Sequence, residues 1–389
     1  MFSNITLADI SGRRFKVSYR LSCAAREAAE LARHICVEQT VEFPADLIGD
    51  NDIRRHVMGR LESLEPSADW RSFRAIISYA VEITGFSLPQ TMNVIFGNIS
   101  LMPGVKVERI DFPDDFLARF RGPRFGLKGL REMSGGEDRP LYCSALKPMG
   151  LSAAQLAEQA YGLAMGGIDF IKDDHGLADQ PFAPFRDRVM RCVEQVFRAN
   201  QKTGGRSRYV ASLNLPAEEI VEQAVWAKGQ GVGGLLVSPG IVGFDMMRRL
   251  ADDERIGLPI LCHPAHLGGY VTHLDSGISF YALFGQVARI AGADASIYPN
   301  FGGRFSFSKA QCREIIAGCM EPMGPIKPIL GAPGGGMNFS NVPDMVEAYG
   351  RDIMFLIGGA LHRGADPLAE NCRKLRRLVA RELGDEAGF

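Results

Sequence analysis

From residue 139 onward, the chain alternates short apolar runs with segments whose apolar residues recur at helical spacing. Continuous rather than alternating hydrophobicity in the runs indicates strands buried on both faces, as in a parallel sheet. Eight such strand–helix units in about 250 residues predict a (β/α)8, or TIM, barrel. An open doubly wound sheet is the alternative, but no GxGxxG sequence follows the first run. The predicted strands are residues 141–148, 167–174, 208–215, 232–239, 258–264, 294–300, 326–335 and 352–361.

The residues before 139 follow a different pattern. RRFKVSYRLS, FRAIISYAVEIT and GVKVERIDFP are predicted strands, and AAREAAELARHIC and SLPQTMNVIFGNIS are predicted helices. These elements lack a strict βαβ rhythm and predict a smaller α+β domain, which we expect to be ferredoxin-like. We therefore expect an N-terminal α+β domain over residues 1–138 and a TIM-barrel catalytic domain over residues 139–389.

Composition narrows the expected partners and location. The 389 residues include 44 basic and 45 acidic side chains, a net charge of −1, so neither nucleic-acid nor membrane binding is indicated. Eight cysteines occur without a CxxC pair, which argues against a disulfide framework and for a reducing compartment. The first residues lack the apolar stretch of a secretory signal, and no run approaches the ~20 apolar residues of a membrane span. We expect a cytoplasmic protein.

Polar residues and glycine pairs gather at the predicted carboxyl ends of the barrel strands, where TIM-barrel active sites lie. The glycine pairs that end strands seven and eight are typical of a phosphate site, because glycine lets a ligand approach backbone N–H groups closely. Tight turns would explain the same glycines without a ligand. The strand-end positions are Lys147, Lys172, Asp174, His175, Asn214, His263, Asn300, Gly334, Gly335, Gly358 and Gly359.

Two of these strand ends carry longer motifs. GGIDFIKDDHGLADQPF, residues 166–182, is similar to the metal-binding signature of the large subunit of ribulose-bisphosphate carboxylase (RuBisCO), and ALKPMGLS resembles its first barrel-strand motif. The glycine loops and FGNIS in the N-terminal part fit the same pattern, which extends over residues 15–375. The sequence resembles a form IV RuBisCO-like protein rather than a true carboxylase, because it differs at many functional positions.

By this resemblance, Lys172 takes up CO2 as a carbamate and binds Mg2+, with Asp174 as a second ligand. An amine buried at a strand end has a lowered pKa, so the neutral form that reacts with CO2 is accessible. His175 stands where the carboxylase has a glutamate; as a third ligand it would weaken Mg2+ binding and favour Mn2+. It stays open whether His175 is instead an acid–base residue or merely part of the loop.

The resemblance also assigns residues to the substrate. Lys147 matches the lysine that moves protons at the enolisable carbon, although a lysine there can also simply reach water. His263 matches a histidine that contacts the sugar. Pro264 and Pro333 replace an arginine and a serine that hold a second phosphate, and Arg304 is the nearest basic residue of a shortened loop, expected to bind substrate. Since the glycines for the first phosphate (Gly334, Gly335, Gly358, Gly359) remain, the substrate should carry one phosphate.

Two residues of the N-terminal part match positions that the family contributes to the active site of the partner subunit. They are Glu38, in ICVEQT, and Asn98, in FGNIS. Without the resemblance, a helix-end charge and an asparagine cap would be the simpler explanations. The resemblance implies a homodimer with shared active sites and leaves further assembly of the dimers open.

Together these features predict a lyase or isomerase that forms a metal-stabilised enediolate from a monophosphorylated keto-sugar or 3-oxo-sugar acid, without fixing CO2. His175 favours decarboxylation of a 3-oxo-sugar-acid phosphate over the alternative, the 2,3-diketo-5-methylthiopentyl-1-phosphate enolase of methionine salvage, which keeps the glutamate. A non-catalytic phosphate-binding protein of the family, and metal-free acid–base catalysis by Lys147 and His175, stay open.

Overall fold

The computed structural model describes residues 10–68, 70–136, 138–363 and 366–385. Residues 1–9 lie outside this range. They are part of the N-terminal segment for which we predicted that a secretory signal is absent. In the described part, no helix combines the length and hydrophobicity that crossing a membrane requires.

The strands, in chain order, are β1 Arg14–Leu21, β2 Arg60–Pro66, β3 Phe73–Ala80, β4 Val105–Asp111, β5 Leu141–Leu146, β6 Phe170–Asp173, β7 Arg208–Ser212, β8 Gly234–Val237, β9 Ile260–Cys262, β10 Gly277–Ile278, β11 Ala295–Pro299, β12 Leu330–Gly334 and β13 Met354–Leu356. The α-helices are α1 Ala25–Glu38, α2 Ala45–Ile48, α3 Leu88–Phe96, α4 Asp114–Leu117, α5 Gly126–Ser134, α6 Ala153–Met165, α7 Phe185–Thr203, α8 Ala217–Gly229, α9 Pro239–Val242, α10 Phe244–Asp252, α11 Gly268–Val271, α12 Ala288–Ile290, α13 Lys309–Met320, α14 Val342–Tyr349 and α15 Leu368–Glu382.

The N-terminal part forms a five-stranded sheet in the order β10-β4-β1-β3-β2. Strands β1 to β4 pair antiparallel, and α1 and α3 connect them into a βαββαβ unit, which confirms the ferredoxin-like prediction. Strand β2 was not predicted, because this half-exposed edge strand carries Arg60, two glutamates and Pro66 instead of an apolar face. The short β10, which lies beyond β9 in the chain, pairs parallel with β4 and joins this sheet to the following barrel.

The eight remaining strands form a parallel sheet in the order β12-β11-β9-β8-β7-β6-β5-β13. A bridge between Gly331 and Ile353 brings the two edges together, so the predicted TIM barrel is confirmed. Each strand lies within one of the eight predicted runs but is shorter, because the polar ends of the runs belong to loops. These loops carry the candidate site.

Alternate residues of the barrel strands fill its interior. Leu130 of α5 packs against them, so this helix contacts the barrel although it precedes residue 139. The domain boundary at residues 138 and 139 therefore stays a prediction. The interior cluster consists of Leu130, Leu141, Cys143, Phe170, Val210, Leu236, Leu261, Ala295, Ile297, Leu330, Ala332, Met354 and Leu356.

Candidate active site

The alternation of strand β6 separates the charged side chains at its carboxyl end. Phe170 belongs to the barrel interior, so Lys172 and Asp174 face that side and Asp173 faces the surrounding helices. The KDDH stretch thus divides into a pair directed toward the carboxyl end of the barrel and an aspartate directed away from it.

Asp173 is part of a closed, buried network. Its carboxylate accepts hydrogen bonds from Arg188 Nε at 3.2 Å, from the Tyr209 hydroxyl at 2.7 Å and from the Ser212 amide at 3.0 Å. Both Asp173 and Arg188 have fully buried side chains, so each charge is compensated by the other. Asp173 therefore joins β6, β7 and α7 and is not free to bind a ligand.

Lys172 is a buried amine at the carboxyl end of the barrel interior. The residue is 2% exposed, and its Nζ donates a hydrogen bond to the Asp173 carbonyl at 3.0 Å. Burial lowers the pKa of Lys172, because the charged form loses its hydration. The neutral amine, which is the form that can react with CO2, is therefore easier to reach than in water.

Asp174, Lys147 and His175 form a contiguous group. Lys147 Nζ lies 2.8 Å from Asp174 Oδ1, and His175 Nδ1 lies 3.4 Å from the same oxygen. Burial alone would raise the pKa of Asp174, but the hydrogen bonds from His175 and Lys147 hold it well below its usual range. Asp174 is thus an anion at any working pH, so its negative charge is available to bind a cation.

Helix α6 fixes the backbone of Lys147. The helix begins at a capping box formed by Ser152 and Gln155. One turn later, Gln159 Nε2 donates to the Lys147 carbonyl at 2.6 Å and Gln159 Oε1 accepts from the Lys147 amide at 3.2 Å. The partly exposed Lys147 side chain therefore starts from a fixed point at the end of β5.

His263 stacks on His175 with ring centroids 4.5 Å apart and an interplanar angle of 10°. Burial, followed by the positive charge of Lys172, lowers the pKa of His263 to about 2, so its ring is neutral. Its Nδ1 accepts a hydrogen bond from the Ala265 amide at 3.1 Å. Since Nδ1 is the acceptor, the proton of the neutral ring is on Nε2, where it can be donated to an oxygen.

The four predicted phosphate glycines are not equivalent. A methyl group added at Gly358 would lie 3.9 Å from Lys147 Cε, which places the strand-eight loop beside the candidate acid–base lysine. A methyl group at Gly359 would meet no described atom within 4 Å, so this backbone is open to a ligand. Gly334, in contrast, is buried and would bring a methyl group within 3.0 Å of Leu356, so packing suffices to explain it.

The strand-seven loop meets the loop of Arg304. A methyl group at Gly335 would lie 3.7 Å from the Phe305 ring, and one at Gly336 would lie 3.5 Å from the Arg304 amide nitrogen. The exposed Arg304 guanidinium lies over the Phe305 ring, 5.0 Å from its centroid. The structure therefore brings Arg304 next to the strand-seven glycines.

Glu38 and Asn98 meet although 60 residues separate them. Asn98 Nδ2 donates to Glu38 Oε1 at 2.9 Å in an exposed contact. The neighbouring Gln39 is buried and binds the carbonyls of Asn93 and Val94, which fixes the end of α1 beside α3. In the described part of the chain, neither Glu38 nor Asn98 forms a hydrogen bond or ion pair with a barrel residue.

Three further polar groups face this end of the barrel interior. Ser212 follows the interior residue Val210 at the period of a strand, and Ser238 follows Leu236 in the same way. Their hydroxyl oxygens, and Asn214 Oδ1, are buried without a hydrogen-bond partner among the described residues. The two serines were not predicted, although counting by two from the apolar residues of each strand would have found them.

The side chain of Asn300, which was predicted as a strand-end residue, contacts helix α14. Its Oδ1 accepts from the Tyr349 hydroxyl at 2.6 Å, and its Nδ2 lies 2.6 Å from Met345 Sδ. Both partners belong to α14, so Asn300 connects β11 to that helix and lies outside the candidate site.

The donor set fits a divalent cation only in one chemical state of Lys172. The described residues contain no group of three or more His, Cys, Asp or Glu side chains placed to hold a metal. Asp174 and His175 supply one oxygen and one nitrogen, and a carbamate on Lys172 would add a second oxygen and replace a repelling amine. The buried, unpartnered oxygens of Ser212 and Asn214 leave polar groups for such an addition. The residues therefore fit the ion with Lys172 carbamylated.

Known proteins similar to this chain share its fold and much of its sequence. Residues 126–304 match the family described as the ribulose bisphosphate carboxylase large chain, catalytic domain. The 5-methylthioribulose-1-phosphate isomerase of Rhodospirillum rubrum is 38% identical over 369 residues, covering 94% of this chain and 96% of that protein. The 2,3-diketo-5-methylthiopentyl-1-phosphate enolase of Bacillus pumilus is 32% identical over 349 residues, covering 87% and 85%.

A solved structure of a similar protein has the same fold. The Rubisco-like protein from Rhodopseudomonas palustris superposes with a TM-score of 0.85 and 32% sequence identity, over 97% of this chain and 99% of that one. The likeness therefore extends over both the N-terminal sheet and the barrel.

Proposed function

This chain belongs to the ribulose-bisphosphate carboxylase large-chain family as a RuBisCO-like protein, and from this premise we propose that it forms an enediolate from a monophosphorylated keto-sugar. The product then arises by isomerisation or lysis, and CO2 is not fixed. The single observation that carries the proposal is the contact between Lys147 Nζ and Asp174 at 2.8 Å, beside the buried Lys172. A base, an anion and a reactive amine together suit proton abstraction next to a carbonyl.

Proton transfer is the work of Lys147. Its amine takes the proton from the carbon next to the substrate carbonyl and returns a proton at the same or a neighbouring carbon. Gln159 holds the backbone of Lys147, so the amine moves over a limited range. The neutral ring of His263 donates its Nε2 proton to a sugar oxygen.

A divalent cation, Mg2+ or Mn2+, would be held by carbamylated Lys172, Asp174 and His175. When bound, it would polarise the substrate carbonyl and lower the free energy of the enediolate. The lowered pKa of Lys172 supports this proposal, since carbamate formation needs the neutral amine.

The two ends of the substrate differ in polarity. The open backbone at Gly359 beside Lys147 suits a phosphate, which backbone N–H groups bind well. The loops over residues 263–268, 299–305 and 334–341 contain one charged residue, Arg304, which we assign to substrate binding. A ligand with one phosphate and an apolar far end suits this distribution better than a bisphosphate.

The relatives narrow the choice of reaction. Since the Rhodospirillum rubrum isomerase is 38% identical over nearly the whole chain, we place isomerisation of 5-methylthioribulose 1-phosphate, or a close analogue, first. Enolisation of 2,3-diketo-5-methylthiopentyl 1-phosphate is the second candidate, favoured by the 32% identity to the Bacillus pumilus enolase. Decarboxylation of a 3-oxo-sugar-acid phosphate is the third.

A substrate panel tests the proposal. The protein, with bicarbonate and Mg2+ or Mn2+, is incubated with each of the three phosphates and with ribulose 1,5-bisphosphate, and products are followed by 31P and 13C NMR. We expect turnover of a monophosphate, turnover about a hundredfold or more slower by Lys147→Met, and no incorporation of labelled CO2 with the bisphosphate. Binding of the monophosphates without turnover would indicate the non-catalytic alternative, and full activity without metal or bicarbonate would indicate acid–base catalysis alone.

We propose that the active protein is a homodimer with shared sites. The exposed pair Glu38 and Asn98 lies on the N-terminal part without a barrel partner among the described residues of its own chain, as a contribution to a second subunit would require. Mixing Lys172→Met with Asn98→Ala, each inactive alone, should then restore activity through hybrid dimers, which carry one intact site.

We also propose the cytoplasm as the location. All eight cysteines are free thiols, seven of them buried, which suits a reducing compartment.

A further inference from the structure

Two fully buried serines at the carboxyl end of the barrel have hydroxyls that no other described residue binds. Ser212 is 0% exposed and Ser238 is 1% exposed, and neither Oγ has a hydrogen-bond partner among the described residues. A buried hydroxyl without a hydrogen bond destabilises the fold, and a bound group that satisfies both hydroxyls would remove that cost.

Both hydroxyls face the barrel interior. Ser212 lies between Ala211 and Leu213, which pack outward in the shell between barrel and helices, and Ser238 follows the outward-packing Val237. Two other buried serines with unpartnered hydroxyls have the opposite orientation. Ser144 follows the interior residue Cys143, and Ser296 lies between the interior residues Ala295 and Ile297, so both face the helices.

The first serine lies at the level of the Lys172 amine. Lys172 Nζ donates to the Asp173 carbonyl at 3.0 Å, and the Ser212 amide donates to the Asp173 carboxylate at 3.0 Å. Strand β6 pairs with β7 through Lys172 and Val210, and Ser212 is two residues further along β7. The lysine head and the serine therefore flank the same residue.

Ser238 does not form the capping hydrogen bond that is usual for a serine at the start of a helix. Ser238 precedes helix α9, where a serine side chain usually accepts a backbone N–H of the first turn. Its hydroxyl makes no such capping bond, and its backbone carbonyl accepts from the Ile241 amide instead. Strand β7 pairs with β8 through Ser212 and Leu236, and Ser238 is two residues beyond Leu236. The Ser238 hydroxyl thus remains directed toward the interior.

We propose that Ser212 and Ser238 are positioning residues whose hydroxyls donate hydrogen bonds to the carboxylate of carbamylated Lys172. This inference rests on the proposed function. In the step concerned, the neutral Lys172 amine adds to CO2: an N–C bond forms, one C–O π bond becomes the carboxylate lone pair, and the amine proton leaves to solvent. The new buried anion has oxygens that one cation cannot satisfy, and hydroxyl donors supply what is missing.

The depth of the serines favours the carbamate over the substrate as their partner. A substrate must enter and leave through the open end, where Gly359 and Arg304 lie. The serines, like Lys172, are almost inaccessible there. A carboxylate formed on the buried Lys172 amine is already at the depth of the serines and does not have to enter from the open end.

The test measures carbamate occupancy directly. The purified full-length protein is titrated with 13C-bicarbonate at fixed pH and Mg2+ concentration, and the carbamate signal is followed by 13C NMR; Lys172→Arg identifies the signal. The variants are Ser212→Ala and Ser238→Ala, with Ser144→Ala and Ser296→Ala as matched controls. Ser212→Cys and Ser238→Cys keep the volume and lose most of the donor strength, in case an alanine variant does not fold.

We expect the interior variants to need about tenfold more CO2 for half occupancy, because each loses a hydrogen bond to a charged group. The outward-facing controls should match the wild type. Equal midpoints for all variants would overturn the role of the serines and leave the proposed function intact. A wild type without any Lys172-dependent signal would overturn the carbamate in the proposed function, and the serine role with it.

Discussion

The buried carboxylates at the amino end of the barrel and two buried hydroxyls at its carboxyl end differ in whether their hydrogen bonds are satisfied. At the amino end, Asp169 accepts both arms of the Arg139 guanidinium, at 2.7 and 2.8 Å, and the Tyr142 amide at 2.8 Å. Asp294 at the same end accepts three backbone amides at 2.7 to 2.9 Å. Each carboxylate there connects a strand to its surroundings.

At the carboxyl end, in contrast, two serine hydroxyls and the Lys172 amine have few or no hydrogen-bond partners in the described part of the chain. The Ser212 and Ser238 hydroxyls have no partner in the described residues, and the Lys172 amine is bound to a single backbone carbonyl. A satisfied buried group stabilises the fold, whereas an unsatisfied one costs free energy unless a ligand or a reaction supplies its partner. The difference predicts that substitutions at the amino end change stability and substitutions at the carboxyl end change chemistry.

The largest effect should come from Lys172→Met. On the proposed function, loss of the amine would remove the carbamate and with it the cation that would stabilise the enediolate, an effect of several kcal/mol, or about a thousandfold in kcat. The thermal unfolding midpoint should stay or rise, because a buried amine is replaced by an apolar chain of similar shape. Steady-state kinetics and calorimetry on the same preparation check both. A wild-type kcat in this variant would show that Lys172 at the carboxyl end takes no part in catalysis.

At the amino end, Asp169→Ala should lower the free energy of unfolding by about 1–3 kcal/mol, because the Tyr142 amide is left buried without its acceptor and the partly buried Arg139 loses its counter-charge. Activity per folded molecule should not change. Urea unfolding measures the loss. Glu347→Ala is the matched control: it breaks the exposed pair with Lys309 and should cost less than about 1 kcal/mol. Equal losses in the two variants would contradict the contrast between the two ends.

Lys147→Met should reduce kcat by about a hundredfold or more, the usual contribution of a positioned acid–base group. KM should change little, because Lys147 acts on a proton while the loops hold the phosphate. Kinetics over a range of substrate concentrations separate the two constants. A rise in KM at unchanged kcat would make Lys147 a binding residue.

The smallest effect concerns pH. Burial raises the pKa of Asp294 to about 6, against the hydrogen bonds from Gly126, Ile260 and Phe125. Because the unfolded value is about 3.9, this contribution to stability is present below about pH 4 and is lost as the pH rises through 6, at about 1 kcal/mol per pH unit. Asp294→Asn should therefore remove a downward slope of stability over that window, measured by urea unfolding at each pH. Parallel pH profiles for both proteins would rule this out.

The sequence predicted the barrel because its strands are continuous apolar runs, and the family because KDDHG and LKPM are specific motifs. It also predicted which strand ends carry charged groups. By the resemblance it named Asp174, and not Asp173, as the ligand, but it could not predict the hydrogen bonds of Asp173, since these depend on how β7 and α7 pack against β6. Arg188, which pairs with Asp173, lies in a helix that no motif marks.

The remaining surprises have similar causes. Ser212 and Ser238 carry no charge and occur in apolar runs, so their significance depends on which face is interior. Asn300 was grouped with the strand-end residues because of its position, but its hydrogen bond to Tyr349 depends on how α14 packs. Strand β2 was missed because a polar edge strand resembles a loop.

Deuterium exchange tests the central claim most directly. The protein, with bicarbonate and Mg2+, is incubated in D2O with 5-methylthioribulose 1-phosphate, and the carbons next to the carbonyl are followed by NMR. The account predicts deuterium at such a carbon in wild type, and none above background with Lys147→Met or Lys172→Met. Conversion of the substrate without deuterium at either neighbouring carbon, or equal exchange in all three proteins, would contradict an enediolate formed by this site.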